Sequence, residues 1–127
     1  MLKQFYFGAA VFWTGIIVYF SLVQCNDLPF KSVSNIDKLV HSFFHFVFII
    51  LWFLYFNIKL KCLKLTKFLL ISVVFSMFFG IGIEILQEIL TTSRHADVVD
   101  VFANISGASL ASIFIFYFYG NIIRIKI

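Results

Sequence analysis

Long apolar runs alternate with short polar stretches along the whole chain. The runs cover roughly residues 5–23, 39–58, 66–90 and 98–119. Each reaches the ~20 residues that a helix needs to cross ~30 Å of hydrocarbon. Because a backbone in lipid must satisfy its polar groups internally, these runs predict helices. The pattern therefore predicts an all-α integral membrane protein with four transmembrane helices.

The composition agrees with a chain that is solvated by lipid. The protein is 62% hydrophobic and 13% charged, whereas a soluble domain is about half apolar and a quarter charged. We find no internal repeat, low-complexity tract or linker, so we expect residues 1–127 to form one domain, a four-helix bundle. No sequence feature points to a nucleic-acid partner or to a cofactor.

The basic residues are unevenly distributed between the two ends of the predicted helices. Seven of the ten Lys and Arg residues fall on one side of a four-span chain: Lys3, Lys59, Lys61, Lys64, Lys67, Arg124 and Lys126. Because basic residues are enriched in cytoplasmic loops, we expect both termini to be cytoplasmic. All six acidic residues fall toward the opposite, outer side. Cys25 and Cys62 lie on opposite sides and so cannot pair within one chain.

The end of the third run carries acidic residues that lipid would penalise. Glu84 lies six residues before the predicted helix end, about 9 Å deep at 1.5 Å per residue. An ionisable group at such a depth predicts a functional site, and the alternative is a hydrogen bond that fixes helix packing. We expect Glu84 to bond the second or fourth helix, through His41 or Asn104. Gly80 and Gly82 predict close helix approach.

The fourth run begins with polar residues at helical spacing. Arg94, Asp97, Asp100, Asn104 and Gly107 recur at intervals of three, three, four and three. A stripe of polar and small residues on a helix rich in Phe and Ile predicts a face that points into the bundle. Arg94 either pairs with one of the acids or holds a phosphate with its planar guanidinium.

The second run begins with a cap and two histidines. Ser34 followed by Asp37 resembles a capping box, and Asp37 also suits the positive end of a helix dipole. His41 and His45 are four residues apart, so they share a face. Such a pair could bind a metal. We favour instead a hydrogen bond from each histidine to a carboxylate on another helix, and we expect no metal.

Together these residues resemble the VanZ-like family of small bacterial membrane proteins. The resemblance rests on three motifs: Asp37-Lys38 with His41; Glu84-x-x-Gln87; and Arg94-x-x-Asp97-x-x-Asp100-x-x-x-Asn104-x-x-Gly107. The resemblance implies a multi-pass protein of the bacterial plasma membrane that acts on the cell envelope. The family is associated with resistance to the glycopeptide teicoplanin, so the resemblance also implies a link to that resistance. His45 departs from the family, which more often has an aromatic residue there.

These observations predict a polar pocket that opens to the outer side. The expected ligand-binding residues are Asp37, Lys38, His41, Glu84, Gln87, Arg94, Asp97, Asp100 and Asn104. The first hypothesis is a module that binds or shields a membrane lipid, a lipid-linked cell-wall precursor or a glycopeptide. The second is an intramembrane enzyme acting on a phospholipid or lipid-linked glycan, with His41, Glu84 and Asp100 as candidate catalytic residues. An ion-coupled transporter and a purely structural role are further alternatives.

Overall fold

A computed structural model of the protein describes residues 1–22, 34–59, 64–92 and 96–126. These residues form the helices α1 (Leu2–Leu22), α2 (Ser34–Lys59), α3 (Leu65–Leu90) and α4 (Val98–Lys126). No strand occurs within the described ranges. All four helices contain a stretch that is long and apolar enough to cross a membrane. The predicted all-α fold, with four helices long and apolar enough to span a membrane, is thereby confirmed for the described residues.

The helices extend beyond the apolar runs that predicted them. The second begins at Ser34 rather than near residue 39, and the fourth continues to Lys126 rather than ending near residue 119. An apolar run marks only the part of a helix that lipid can surround, and backbone hydrogen bonding continues into the flanking polar residues. The extra first turn of α2 contains Asp37, where the helix dipole favours a negative charge.

The central pair of helices is α2 and α4, which run parallel and make the most extensive contact in the bundle. Their direction follows from residue pairs that advance together, from His41–Asn104 through Phe46–Phe114 to Asn57–Tyr119. Both α1 and α3 run antiparallel to α2. As a result, the ends of α1 and α3 meet the beginnings of α2 and α4. We call this the cluster end.

Glycine permits the closest approach of α2 and α4. A Cβ atom at Gly107 would overlap the backbone carbonyl of Ser42 on α2. Gly80 likewise lies against α4, since its Cβ would be 2.8 Å from the amide nitrogen of Asn104. No atom of another described residue lies within 4 Å of a Cβ at Gly82, apart from its own helix backbone and chain neighbours. The predicted close approach is therefore confirmed at Gly80 and wrong at Gly82, because two residues turn an α-helix by about 200° and place Gly82 on the opposite side of α3.

Large apolar side chains cover the outside of the bundle as well as its core. The core is centred on Phe48, which is 1% exposed and stacks on Phe79 at 4.9 Å between ring centroids. The outer surface carries residues such as Phe12, Phe78 and Tyr117, each more than 60% exposed. A soluble monomer rarely exposes apolar patches of this extent. The exposed face is therefore suited to lipid.

Candidate functional site

Buried polar side chains gather at the cluster end. We call this group the polar cluster, and each member is 8% exposed or less: His41, His45, Glu84, Gln87, Asp100 and Asn104. They come from the beginnings of α2 and α4 and the end of α3, because the helix directions bring those three ends together. A buried polar group costs free energy unless it is hydrogen-bonded, so each side chain must be matched to a partner or to a ligand.

The central contacts of the polar cluster are made by His41. Its Nδ1 lies 3.2 Å from Asn104 Oδ1. An amide oxygen only accepts, so Nδ1–H is the donor and the proton of a neutral imidazole sits there. Nε2 then faces two carboxylates, at 3.9 Å from Asp37 Oδ1 and 3.9 Å from Asp100 Oδ2. Both distances are too long for a hydrogen bond. Asn104, rather than a carboxylate, therefore orients the ring.

Glu84 ties α3 to the beginning of α4. Its Oε2 accepts a hydrogen bond of 3.1 Å from the backbone N–H of Asp97. The expected bond from Glu84 to the fourth helix thus forms at the residue just before α4. The expected partners His41 and Asn104 are wrong, because these two side chains bond each other. Glu88, one turn further along α3, accepts from the backbone N–H of Ala96 at 2.7 Å and is exposed.

Three buried polar atoms of the polar cluster have no hydrogen-bond partner among the residues that the structure describes. They are Glu84 Oε1, Asp100 Oδ1 and Asn104 Nδ2. Most buried polar side-chain atoms in proteins are paired, and each exception asks for an explanation such as a bound molecule or ion. Two of these atoms belong to acids and one is an N–H donor. The cluster can therefore offer both acceptors and a donor to a polar guest.

The remaining members of the polar cluster bond neighbouring helices. His45 Nδ1 lies 2.5 Å from Ser76 Oγ on α3. The expected carboxylate partner of His45 is wrong, because at this depth α3 presents a serine. Gln87 Nε2 donates to the backbone carbonyl of Ser21 at 2.7 Å, which joins α3 to the end of α1. These two contacts are structural and leave His41 and the acids as the chemically available groups.

A surface groove lies between α2 and α4 at the same level. Its volume is about 370 Å³, and it is lined by Lys38, Leu39, Ser42, Ala103 and Ser106. Lys38 and Leu39 directly follow Asp37 in α2, and Ala103 directly precedes Asn104 in α4. The groove thus combines one cation, two hydroxyl groups and an apolar wall next to the polar cluster. This combination suits the junction of a lipid headgroup and its acyl chain.

The predicted ligand-binding residues divide into several groups. Asp37, His41, Asp100 and Asn104 meet around the imidazole ring. Glu84 is buried and bonds Asp97, which is exposed. Gln87 faces α1, and Lys38 lines the groove. Arg94 and His95 lie outside the described residues. The inward stripe predicted for α4 is confirmed at the following positions: Asp100, Asn104, Gly107, Ala108 and Ala111.

Sequence reasoning missed the contributions of serine. Ser76 is 1% exposed and bonds His45, while Ser42 and Ser106 line the groove. A usable signal was present on α3, because Ser72, Ser76, Gly80 and Glu84 follow one another at intervals of four. That spacing places them on one face of a helix. Extending the stripe backwards from Glu84 would have placed Ser76 in the interior. No comparable signal marked the groove.

Comparisons with known proteins do not indicate a function, so the function is inferred from the geometry of the site. No protein-family model, curated protein or solved structure matches the chain.

Proposed function

We propose that this chain is a VanZ-like protein of the bacterial plasma membrane that binds a membrane lipid or a lipid-linked envelope intermediate. In this proposal both termini are cytoplasmic, because seven of the ten basic residues then lie inside. The cluster end consequently faces outward, at the surface where envelope precursors are displayed. The observation that carries the proposal is the set of buried, unpartnered atoms in the polar cluster.

The groove and the polar cluster suit different parts of such a ligand. Lys38 is the cation of the groove and would pair with a phosphate. Leu39 and Ala103 would contact the beginning of the acyl or prenyl chain. Glu84, Asp100 and Asn104 would hydrogen-bond sugar hydroxyls or an amine. A lipid-linked precursor held in this way would be less accessible to teicoplanin. This agrees with the association of the VanZ-like family with teicoplanin resistance.

The geometry of His41 favours a second candidate function, an intramembrane enzyme that acts on a phospholipid or lipid-linked glycan. Asn104 holds the Nδ1 side of the ring, and Nε2 faces Asp37 and Asp100. An imidazole held in one tautomer beside carboxylates can act as a general acid or base. In this alternative, Asp100 and Glu84 would stabilise the protonated ring.

The proposal is tested by the lipids that the protein retains during purification. We expect the wild type in mild detergent to retain an anionic phospholipid or a polyprenyl-phosphate glycan above its share of the membrane, as measured by native mass spectrometry. Lys38→Gln and Asn104→Leu should weaken retention roughly tenfold or more, because a hydrogen bond to a charged group contributes about 1.5–3 kcal/mol. Ser112→Ala is the matched control, since Ser112 bonds only its own helix in this structure.

The outcomes separate the two functions. Retained lipid with the bulk membrane composition, unchanged in both variants, would contradict the proposal. Conversion of a retained lipid to a product, abolished by His41→Gln but not by Ser112→Ala, would favour the enzyme over the binding module. Phosphatidylglycerol and a polyprenyl-phosphate glycan differ in mass, so the same spectra identify which lipid is bound.

A further inference from the structure

Asp37, His41 and Asp100 place three potential metal-ligand atoms around one point. The atoms are one oxygen from each carboxylate and Nε2 of the ring, and all lie within 4.8 Å of one another. The two distances from His41 Nε2 are both 3.9 Å. A point equidistant from three atoms so arranged is about 2.5 Å or less from each, close to the 2.0–2.6 Å of metal–oxygen and metal–nitrogen bonds. The gap is too wide for hydrogen bonds and suits an ion.

The orientation of the imidazole ring also favours metal binding. Because Nδ1–H donates to Asn104 Oδ1 at 3.2 Å, the lone pair of a neutral ring is on Nε2 and faces both carboxylates. A lone pair aimed at two acceptors gains nothing without a cation between them. Histidines that bind metals commonly donate their other N–H to an oxygen, which fixes the ring and its tautomer. Asn104 supplies that oxygen here.

A second and independent indication of a ligand is given by two carboxylate oxygens without hydrogen-bond partners among the described residues, one on Asp100 and one on the neighbouring Glu84. Asp100 is 8% exposed, and its Oδ1 has no hydrogen-bond partner in the described part of the chain. Glu84 is 3% exposed, and its Oε1 also has no partner among the described residues. Its carboxylate is close enough to be attracted by His41 and repelled by Asp100. Within the described residues, no Lys or Arg forms an ion pair with Asp37, Glu84 or Asp100. Lys38 attracts Asp100 electrostatically, but among the described side chains no Lys or Arg pairs directly with these carboxylates, and a buried carboxylate is costly without a paired cation.

We propose that Asp37, His41 and Asp100 bind a divalent transition-metal cation such as Zn²⁺ or Mn²⁺, with Glu84 as a nearby third carboxylate. One imidazole and two carboxylates form a mixed nitrogen and oxygen donor set. Zn²⁺ and Mn²⁺ accept such a set, whereas Ca²⁺ and Mg²⁺ prefer oxygen ligands alone. The ion can reach the site past Asp37, whose side chain is 45% exposed. Three protein ligands would leave a coordination position open for water or a ligand oxygen.

The proposal does not depend on lipid binding, so its test uses metal alone. The full chain is stripped with a chelator and reconstituted in phosphatidylcholine vesicles, which carry no net headgroup charge. Equilibrium dialysis with elemental analysis measures bound Zn²⁺, and electron spin echo spectroscopy of bound Mn²⁺ detects a coordinated nitrogen. We expect one ion per chain and a nitrogen coupling from His41. An excess of Ca²⁺ should not displace Zn²⁺.

Variants assign the ion to its ligands. His41→Gln and Asp100→Asn should abolish binding, and Asn104→Leu, which removes only the orienting bond, should weaken it by about 10- to 100-fold. Glu88→Gln is the control. It removes a carboxylate that lies at the cluster end but is not one of the three proposed ligands, so this variant should bind metal as the wild type does. If His41→Gln or Asp100→Asn fails to fold, as judged by circular dichroism, Asp37→Asn replaces it in the test. Asp37 is a half-exposed ligand, so its substitution disturbs the fold least.

Three results would overturn the proposal. The first is the absence of Zn²⁺ and Mn²⁺ binding by folded wild type at micromolar metal. The second is binding that persists unchanged in both Asp37→Asn and Asp100→Asn. The third is a bound Mn²⁺ without nitrogen coupling, or displacement of Zn²⁺ by Ca²⁺, because either would exclude His41 as a ligand.

Discussion

Asp97 combines a structural and an electrostatic role in one exposed side chain. Its Oδ1 accepts a hydrogen bond of 2.9 Å from the backbone N–H of Val99, in the first turn of α4. Its own N–H donates to Glu84. The side chain therefore caps the helix that supplies Asp100 and Asn104, and its charge adds to an acidic end of the bundle.

These two roles can be separated by substitution. Asp97→Ala should lower the free energy of unfolding by about 1 kcal/mol, because it removes the cap, whereas Asp97→Asn should keep it, since Asn is an equally good cap. Thermal unfolding in detergent, followed by circular dichroism, measures both. Equal destabilisation by Ala and Asn would show that the charge, rather than the cap, carries the stabilisation. If Asp97→Asn is stable, any effect on ligand binding can be attributed to charge.

At the residue scale, the sequence predicts which side chains are buried better than it predicts their partners. The spacing of Asp100 and Asn104 follows from the helical period, so both were expected to face inward, and both are buried. The bond between His41 and Asn104 depends on the relative height of α2 and α4, which no local pattern determines. For the same reason His45 meets Ser76 rather than an acid. Local periodicity therefore predicts which face of a helix is buried, whereas the hydrogen-bond partner of a buried side chain depends on how the helices pack.

At the scale of helices, the close packing of the parallel pair α2 and α4 depends on one glycine, Gly107. A Cβ at Gly107 would overlap the carbonyl of Ser42, and because both are backbone positions neither can rotate away. Gly107→Ala should therefore force the helices apart. We expect it to lower the free energy of unfolding by about 1–3 kcal/mol, the usual cost of overpacking. Denaturant or thermal unfolding in detergent measures the loss.

Gly82 provides the matched control for that substitution. It is also a helical glycine of a membrane span, and a Cβ there would meet nothing within 4 Å. Gly82→Ala should leave the stability unchanged or raise it, because Ala favours the helix by up to about 1 kcal/mol over Gly. If Gly107→Ala were as stable as Gly82→Ala, the close contact of α2 and α4 would not limit the fold.

The helices themselves were predictable, and their pairing was not. Hydropathy gives four spans because apolar length is a property of each segment alone. The small residues Gly107, Ala108 and Ala111 indicated a packing face on α4 but not which helix covers it. That α2 covers it in parallel orientation follows from the whole bundle. The groove between α2 and α4 could not be predicted for the same reason, since its walls come from two separate helices.

At the scale of the whole molecule, polarity is distributed in the opposite way to that of a soluble protein. Among the residues whose burial the structure describes, ten polar or charged residues are buried, whereas large apolar side chains are widely exposed. The buried polar residues are concentrated toward the cluster end, and the other end carries basic residues such as Lys59, Lys64 and Lys67. This separation is suited to a protein held in one orientation in a membrane, with a basic end and an end that carries the polar cluster.

The orientation itself is a prediction that two cysteines can test. Cys25 and Cys62 lie outside the described residues. In the sequence, Cys25 comes between the end of α1 and the beginning of α2, which are both at the cluster end, and Cys62 comes between the end of α2 and the beginning of α3, which are both at the basic end. Because the basic residues favour the cytoplasm, an impermeant maleimide should label Cys25 in intact cells and Cys62 only after permeabilisation. Cys25→Ser and Cys62→Ser assign the signals. Labelling of Cys62 alone in intact cells would place the polar cluster at the cytoplasmic surface, where lipid-linked precursors are assembled rather than displayed and where teicoplanin has no access.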